Sequence, residues 1–116
     1  MNAHTLRVLE YDKVRALVAD YAASVPGRAA VFALTPSVEP AIVAERLQET
    51  QECIWIFMSG EHLPLDGILE VGAAVARLGV SGAVLSPSEL MEIATTLGAG
   101  RRVRDFFGRF EGKVLR

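Results

Sequence analysis

The sequence predicts an all-α protein, one helical domain over residues 1–116 that forms a small multi-helix bundle of about five helices. Apolar residues recur every three or four positions along most of the chain, which is the spacing of an amphipathic helix. Serine and aspartate residues suited to helix N-caps precede these periodic segments. The alternation of apolar and polar residues that indicates a half-buried strand never extends beyond a few positions.

The first two predicted helices occupy residues 5–34. After a short lead-in turn, Asp12 is expected to be the N-cap of the first main helix. Ser24 is expected to cap a second, shorter helix that ends near Leu34. Pro26 is compatible with its first turn, because the N–H that proline lacks has no partner inside a helix there.

A third predicted helix begins after Ser37, its expected N-cap, and ends at Gly60. Its side chains on one face step by four and three residues in alternation, which is typical of a helix that packs lengthwise against another helix. We call these residues the seam; they are Val43, Leu47, Thr50, Ile54 and Phe57.

Two more helices follow. Asp66 is the expected cap of a helix that ends near Leu78. The segment Ser86-Pro-Ser-Glu89 is a capping box, in which the serine hydroxyl and the glutamate carboxylate satisfy N–H groups of the first turn, so the last helix begins there. Its expected core stripe consists of Leu90, Ile93, Ala94 and Leu97.

The last helix changes its apolar face beyond Gly98-Ala99-Gly100. The residues that cluster nearly opposite the core stripe are candidates for packing against a partner, and they are Val103, Phe106, Phe107 and Phe110. A platform for single-stranded nucleic acid needs aromatic rings beside the cations that hold the phosphates. The arginines lie on another side, which argues against such a platform. Whether the helix bends at the two glycines or is continuous stays open.

The arginines have two interpretations. Asp105 lies four residues from both Arg101 and Arg109, the spacing of a solvated ladder of ion pairs. Alternatively, Arg101, Arg102 and Arg109 make a weak contact with a phosphate backbone, which needs only clustered positive charge. Residues 1–100 carry 6 basic and 12 acidic side chains and so oppose tight binding, whereas residues 101–116 carry 6 basic and 2 acidic ones.

No catalytic, cofactor-binding or metal-binding residue is predicted. His4 and His62 are isolated, whereas a metal site needs three or four clustered ligands. The stretch 108–114 has the wrong glycine spacing for a phosphate loop. Cys53, the sole cysteine, is expected to be a packed thiol in a cytoplasmic protein, since no disulfide can form within the chain. Neither a signal peptide nor a membrane-spanning run is apparent.

Four stretches of the sequence read, in order, "TLRVLEYDKVRALVADYAAS", "ALTPS" followed by "RLQETQE", "LPLDGI", and "VLSPSELMEIATTLGAGRRVRDFF". They are similar to the N-terminal part of the type-two branch of the bacterial MutS proteins, in the DNA mismatch repair superfamily. The resemblance covers about residues 5–107 and implies the start of a MutS-like helical core. The ATPase and nuclease domains of such a parent have no counterpart in these residues.

The resemblance implies that the chain itself is a non-catalytic scaffold module, whose partner is the rest of the parent protein. That parent is expected to be a dimeric, DNA-binding ATPase that uses ATP and Mg²⁺, and in many members an endonuclease. Such proteins handle branched DNA, suppress homologous recombination or act at stalled ribosomes. The chain is expected to form a homodimer and to bind DNA weakly or not at all. The alternative is a free-standing helical module for protein–protein interaction.

Overall fold

The computed structural model describes residues 2–110, and within them it contains six helices and no strand. This confirms the all-α prediction. The predicted lead-in turn is a short helix of its own, so the described part of the chain has one more helix than expected. The helices are α1 Ala3–Val8, α2 Tyr11–Ala19, α3 Val25–Phe32, α4 Pro40–Met58, α5 Gly72–Leu78 and α6 Pro87–Gly108.

The chain changes direction between α1 and α2 at Glu10. This residue has a left-handed backbone with φ 52°, which ends α1 and makes Glu10 the N-cap of α2. The prediction that Asp12 caps this helix is therefore wrong. Asp12 lies in the first turn, where its carboxylate accepts a hydrogen bond from Arg15.

Helices α2 and α3 pack against each other as a helical corner. As predicted, Ser24 caps α3, because its Oγ accepts a hydrogen bond from the backbone N–H of Gly27 at 3.1 Å. Ala19 is fully buried at this corner. The Nη1 atom of Arg15 donates to the carbonyl oxygen of Phe32 at 2.7 Å and satisfies a carbonyl at the end of α3.

The N-cap of α4 is Glu39, with Pro40 in the first turn, so the prediction of Ser37 is wrong. The Ser37 hydroxyl instead accepts a hydrogen bond from the N–H of Glu39 at 3.2 Å in the preceding linker. Gly60 ends the helix as expected, because it adopts φ 78°, a left-handed conformation that glycine reaches without steric cost.

Helix α5 is shorter than the sequence pattern indicates. Asp66 does not cap it, because Gly67 follows with φ 83° and forms a turn that a helix cannot pass through. The helix begins only after Val71, its N-cap, and Glu70 accepts a hydrogen bond from the N–H of Gly72 at 2.9 Å.

The capping box at the start of α6 is confirmed. Ser86 Oγ accepts from the N–H of Glu89 at 3.2 Å, and Glu89 Oε2 accepts from the N–H of Ser86 at 2.8 Å. The same carboxylate pairs with Arg77 and so ties α5 to α6. The helix continues without interruption through Gly98 and Gly100, which resolves the open question in favour of a continuous helix.

The six helices do not close around one core. The accessible surface is 8956 Å², whereas a compact monomer of this mass exposes about 6,200 Å². The radius of gyration is 17.9 Å, against about 13 Å for a compact domain of this length. Few apolar side chains are buried; they are Ala19, Ile56, Ala74, Leu85, Ala99 and Phe106. The chain is an open arrangement of helices with much apolar surface uncovered.

Replacing Gly100 with alanine should stabilise the chain by about 1 kcal/mol, because glycine in a helix interior is less favourable than alanine by that amount. A Cβ there would meet no atom within 4 Å. Urea unfolding followed by circular dichroism measures the change. A loss of stability would show that α6 is not helical at this position.

Candidate interaction surface on helix α6

Arg102, one of the arginines predicted as a phosphate contact, is tied to the loop that precedes α5. Its Nη2 atom donates a hydrogen bond to the carbonyl oxygen of Asp66 at 2.8 Å. The approach is close, since a Cβ on Gly67 would lie 3.3 Å from the same nitrogen. Arg102 therefore holds this loop against α6, and its guanidinium group already has a partner inside the chain.

Arg109 lies over the aromatic rings at the end of α6. Its guanidinium carbon is 4.9 Å from the ring centroid of Phe106 and 5.9 Å from that of Phe110, both within the range of a cation–π interaction. Its Nη2 atom is 3.8 Å from a carboxylate oxygen of Glu61. Arg109 thus covers part of the aromatic surface and joins the end of α6 to the start of the α4–α5 loop.

Arg101 differs from both, because it is exposed and makes no hydrogen bond or ion pair with any residue in 2–110. The predicted ladder of Asp105 with Arg101 and Arg109 is wrong. The Asp105 carboxylate pairs at 3.4 Å with its neighbour Arg104, whose guanidinium group reaches it first. Of the three candidate phosphate contacts, Arg101 is the one whose guanidinium group has no hydrogen bond or ion pair within residues 2–110.

Four aromatic rings, which we call the aromatic cluster, join the end of α6 to the end of α4; they are Trp55, Phe106, Phe107 and Phe110. Phe106 lies at the centre and is 5% exposed. Its ring centroid is 5.5 Å from that of Phe107 and 5.1 Å from that of Phe110. Phe110 in turn meets Trp55 edge-on at 6.1 Å, so the cluster connects two helices that are far apart in sequence.

The aromatic cluster corrects the prediction that the phenylalanine face points away from the chain's own core. Phe106 is a core residue of this chain, and Val103 and Phe110 are half-buried, whereas Phe107 is 41% exposed. Trp55 of α4 and the loop residues Glu61 and Asp66 contact Phe110, Arg109 and Arg102 near the end of α6. Of the four predicted packing residues, Phe107 has the most exposed ring.

The predicted core stripe at the start of α6 is mostly uncovered. Leu90 is 54% exposed and Leu97 is 61% exposed, so the prediction that this stripe fills the core is wrong for these two residues. The middle of α6 contacts the rest of the described chain through other positions, such as the buried Ala99 and the hydroxyl of Thr96, which accepts from the N–H of Leu69 at 3.2 Å.

An open cleft of about 390 Å³ lies beside the arginines. It carries charges of both signs, because Asp105 stands next to Arg102 and Arg109. An anion that enters it meets one carboxylate and two guanidinium groups that already have partners. Its lining consists of His62, Pro64, Arg102, Asp105, Phe106 and Arg109.

A second cleft, of about 500 Å³, lies beside α1, the start of α2 and the linker that precedes α4. Two of its lining residues, Tyr11 and Arg15, bond groups within the fold. Tyr11 donates to the carbonyl oxygen of Leu34 at 3.2 Å, and Arg15 bonds the same oxygen and Asp12. These contacts are those of a helix corner that satisfies its own carbonyl groups.

Comparison with curated proteins gives a consistent set of relatives. The chain is 38% identical over 104 residues to Endonuclease MutS2 of Geobacillus thermodenitrificans strain NG80-2, a match over 90% of this chain. It is 35% identical over 112 residues to Endonuclease MutS2 of Symbiobacterium thermophilum and 32% identical over 114 residues to that of Clostridium botulinum strain Alaska E43, over 97% and 98% of this chain. This is a MutS2-related chain.

The relationship confirms the resemblance to type-two MutS proteins. The matches cover 13% to 14% of the length of these relatives, so the MutS2-related chain corresponds to a small part of each. No protein-family profile and no solved structure matches the chain. The endonuclease activity in the relatives' name is a property of those much longer proteins.

The MutS2-related chain brings no metal-ligand cluster together in residues 2–110, where no three histidine, cysteine, aspartate or glutamate side chains are placed to hold an ion. In the same residues, no helix combines the length and the apolar character that a membrane crossing needs. Cys53 is exposed, so the prediction of a packed thiol is wrong. It lies on α4 at the edge of the seam, where nothing in the described chain covers it.

Sequence reasoning missed the partners that define this surface. Glu61 and the carbonyl oxygen of Asp66 come from the loop between α4 and α5, and Trp55 comes from the end of α4. Asp66 and Arg102 are separated by 36 positions. Trp55 had a signal, because a tryptophan beside an apolar seam usually anchors a contact. Glu61 and the Asp66 carbonyl had no such signal. Nothing in a sequence distinguishes one loop carbonyl or one surface carboxylate from the others as the partner of a distant arginine.

Proposed function

We propose that this chain is a non-catalytic helical scaffold module of a longer MutS2-type protein. The open fold carries the proposal: an isolated 116-residue domain buries far more of its surface than this chain does. The relatives support it, because they are about seven times longer than this chain. The uncovered apolar surface is then the part that the remaining protein covers.

The activities of the whole protein belong to the proposal and not to these residues. ATP and Mg²⁺ binding, nuclease activity, recombination suppression on branched DNA and dimer formation are assigned to the remaining protein. The module would transmit motion between the ATPase and the bound nucleic acid, a role that suits connected rigid helices such as α4 and α6.

The alternative, a free-standing module that binds a partner helix through Phe106, Phe107 and Phe110, has weaker support. Phe106 lies in the chain's own core, and Arg109 stacks over two of the three rings. A partner would find mainly Phe107. A partner at these three rings would also leave the exposed apolar residues of the other helices uncovered, whereas the remaining part of a longer protein can cover them.

The purified chain of 116 residues should hydrolyse neither ATP nor DNA, whereas the complete product of the reading frame that contains it should hydrolyse ATP. The reason is that no metal-ligand cluster is present in residues 2–110 and no phosphate loop is encoded in the sequence. Phosphate release and cleavage of a branched DNA substrate measure the two activities. Turnover by the chain that a point substitution within it abolishes would contradict the proposal.

The chain should bind DNA at most weakly, with an affinity that falls steeply with salt. Arg101→Ala should reduce the slope of log affinity against log salt by about 1, the effect of one lost phosphate contact. Arg7→Ala is the matched control, since Arg7 is an exposed arginine on α1, away from α6. Fluorescence anisotropy with a branched DNA measures both. Submicromolar binding that is insensitive to salt would be inconsistent with this assignment.

A further inference from the structure

The seam of α4 is apolar and uncovered in this structure. Two of its members, Leu47 and Phe57, are 65% and 56% exposed. At 100° per residue, the five seam residues lie within about 80° of one another. Ile56, the only α4 residue in the buried set, is 3% exposed and lies about 140° from the centre of the seam. The seam therefore faces away from Ile56, the buried side chain of α4.

We propose that the seam binds an α-helix from another part of the same, longer polypeptide, packed lengthwise along α4. This inference rests on the proposed function, because it requires that the chain continue beyond these residues in the complete protein. The occupant is an amphipathic helix with an apolar stripe at alternating three- and four-residue spacing.

The shape of the seam selects a helix as its occupant. Alternating steps of four and three residues keep a straight row of side chains along one line, which fits the facing row of a second helix at a shallow crossing angle. From Val43 to Phe57 the row is about 21 Å long, or about four turns. A strand or an irregular loop has no side chains spaced at alternating three and four residues along one line.

The residues beside the seam indicate what the occupant is like. In a two-helix contact, charged residues at the flanking positions select the partner by ion pairing. Here the flanking positions are nearly free of charge; they are Ala44, Arg46, Gln51, Cys53 and Met58. The guanidinium group of Arg46 also donates to the carbonyl oxygen of Thr35 at 2.9 Å. The occupant therefore needs flanks that are small or uncharged, such as those of a helix inside a larger bundle.

A second copy of this chain is a poorer occupant. The footprint of a helix 10 Å wide along 21 Å is about 210 Å², well below the roughly 800 Å² per partner of a stable interface between separate proteins. Two seams also bring no opposite charges together, because Arg46 is the only charged flanking residue in each. A helix of the same polypeptide needs less area, because the connection raises its effective concentration to the millimolar range.

Photo-cross-linking of the complete reading-frame product tests the inference. Benzoylphenylalanine replaces Leu47 in one variant and the exposed flanking residue Gln51 in a second. The Gln51 variant disturbs packing less, because Gln51 lies beside the seam and not within it. The matched control replaces Glu45, which is exposed and lies about 160° from the centre of the seam. Both seam probes should form cross-links within one polypeptide, several-fold more than the Glu45 probe, to a helical peptide outside residues 1–116. Mass spectrometry locates the peptide.

The outcomes separate the inference from the proposed function. A reading frame that ends near Arg116 overturns both, and the mass of the expressed protein shows this directly. If the product is long and hydrolyses ATP, any one of three results would overturn the inference alone. The Leu47 and Gln51 probes cross-link between copies, they cross-link to a peptide within residues 1–116, or they cross-link no more than the Glu45 probe. Cross-links whose yield is independent of protein concentration and whose products migrate as monomers support it.

Discussion

Phe106→Ala should destabilise the chain by about 3–5 kcal/mol, the usual cost of removing a buried phenylalanine ring. Among residues 2–110, Phe106 is the only buried aromatic side chain, and it contacts Phe107, Phe110 and Arg109. An alanine leaves a cavity where the end of α6 meets the end of α4. Because single domains have about 5–15 kcal/mol of stability in total, the variant should be largely unfolded in moderate urea.

The neighbouring ring provides the control for this prediction. Phe107 makes one edge-to-face contact with Phe106 but is 41% exposed, so Phe107→Ala should cost about 1 kcal/mol. Urea unfolding of both variants, followed by circular dichroism and by the fluorescence of Trp55, measures the difference. Equal losses in the two variants would mean that the aromatic cluster is not packed as the structure shows.

Gly67→Ala should destabilise the chain by about 2–3 kcal/mol. Part of the cost is conformational, because Gly67 has φ 83°, where an L-residue loses about 1–2 kcal/mol. The rest is a contact cost. The new Cβ would lie 3.3 Å from Arg102 Nη2 and 3.4 Å from a methyl carbon of Thr95, so it presses on the hydrogen bond that holds the loop to α6.

Gly82→Ala separates these two costs. Gly82 has nearly the same backbone, φ 80°, but a Cβ there would meet no atom within 4 Å. This variant should lose only the conformational part, about 1–2 kcal/mol. Thermal or urea unfolding compares the two variants. If Gly82→Ala costs as much as Gly67→Ala, then Arg102 does not hold the loop in the way described.

The local signals of the sequence predicted most helix positions because they depend on residues that are close together. Ser24, Ser86 and Gly60 mark helix ends as expected, since each acts on backbone groups within three or four residues. Asp12 and Ser37 were wrong choices of cap. In both cases another residue nearby, Glu10 or Glu39, is the N-cap. The choice between neighbouring cap residues depends on the backbone conformation with which the preceding segment enters the helix.

The candidate surface on α6 was predictable in part. The separation of arginines from phenylalanines was expected from helical geometry. It is wrong for Arg109, whose guanidinium group lies over the rings of Phe106 and Phe110. The partners of these side chains did not follow. Arg102 was expected in a solvated or phosphate-binding role, yet it bonds a carbonyl oxygen far away in sequence, and Arg109 stacks over aromatic rings.

By itself, the sequence determined the helical class, the approximate course of the helices, the kinship with type-two MutS proteins and the presence of several apolar stripes. The tertiary structure decided which stripe becomes core. On the phenylalanine face of α6, Phe106 is buried and Trp55 of α4 lies against Phe110, while the seam of α4 and Leu90 and Leu97 of α6 stay exposed. The periodicity of a stripe shows that a helix has an apolar face to bury. Burial itself depends on which distant segment lies opposite, and no local spacing contains that information.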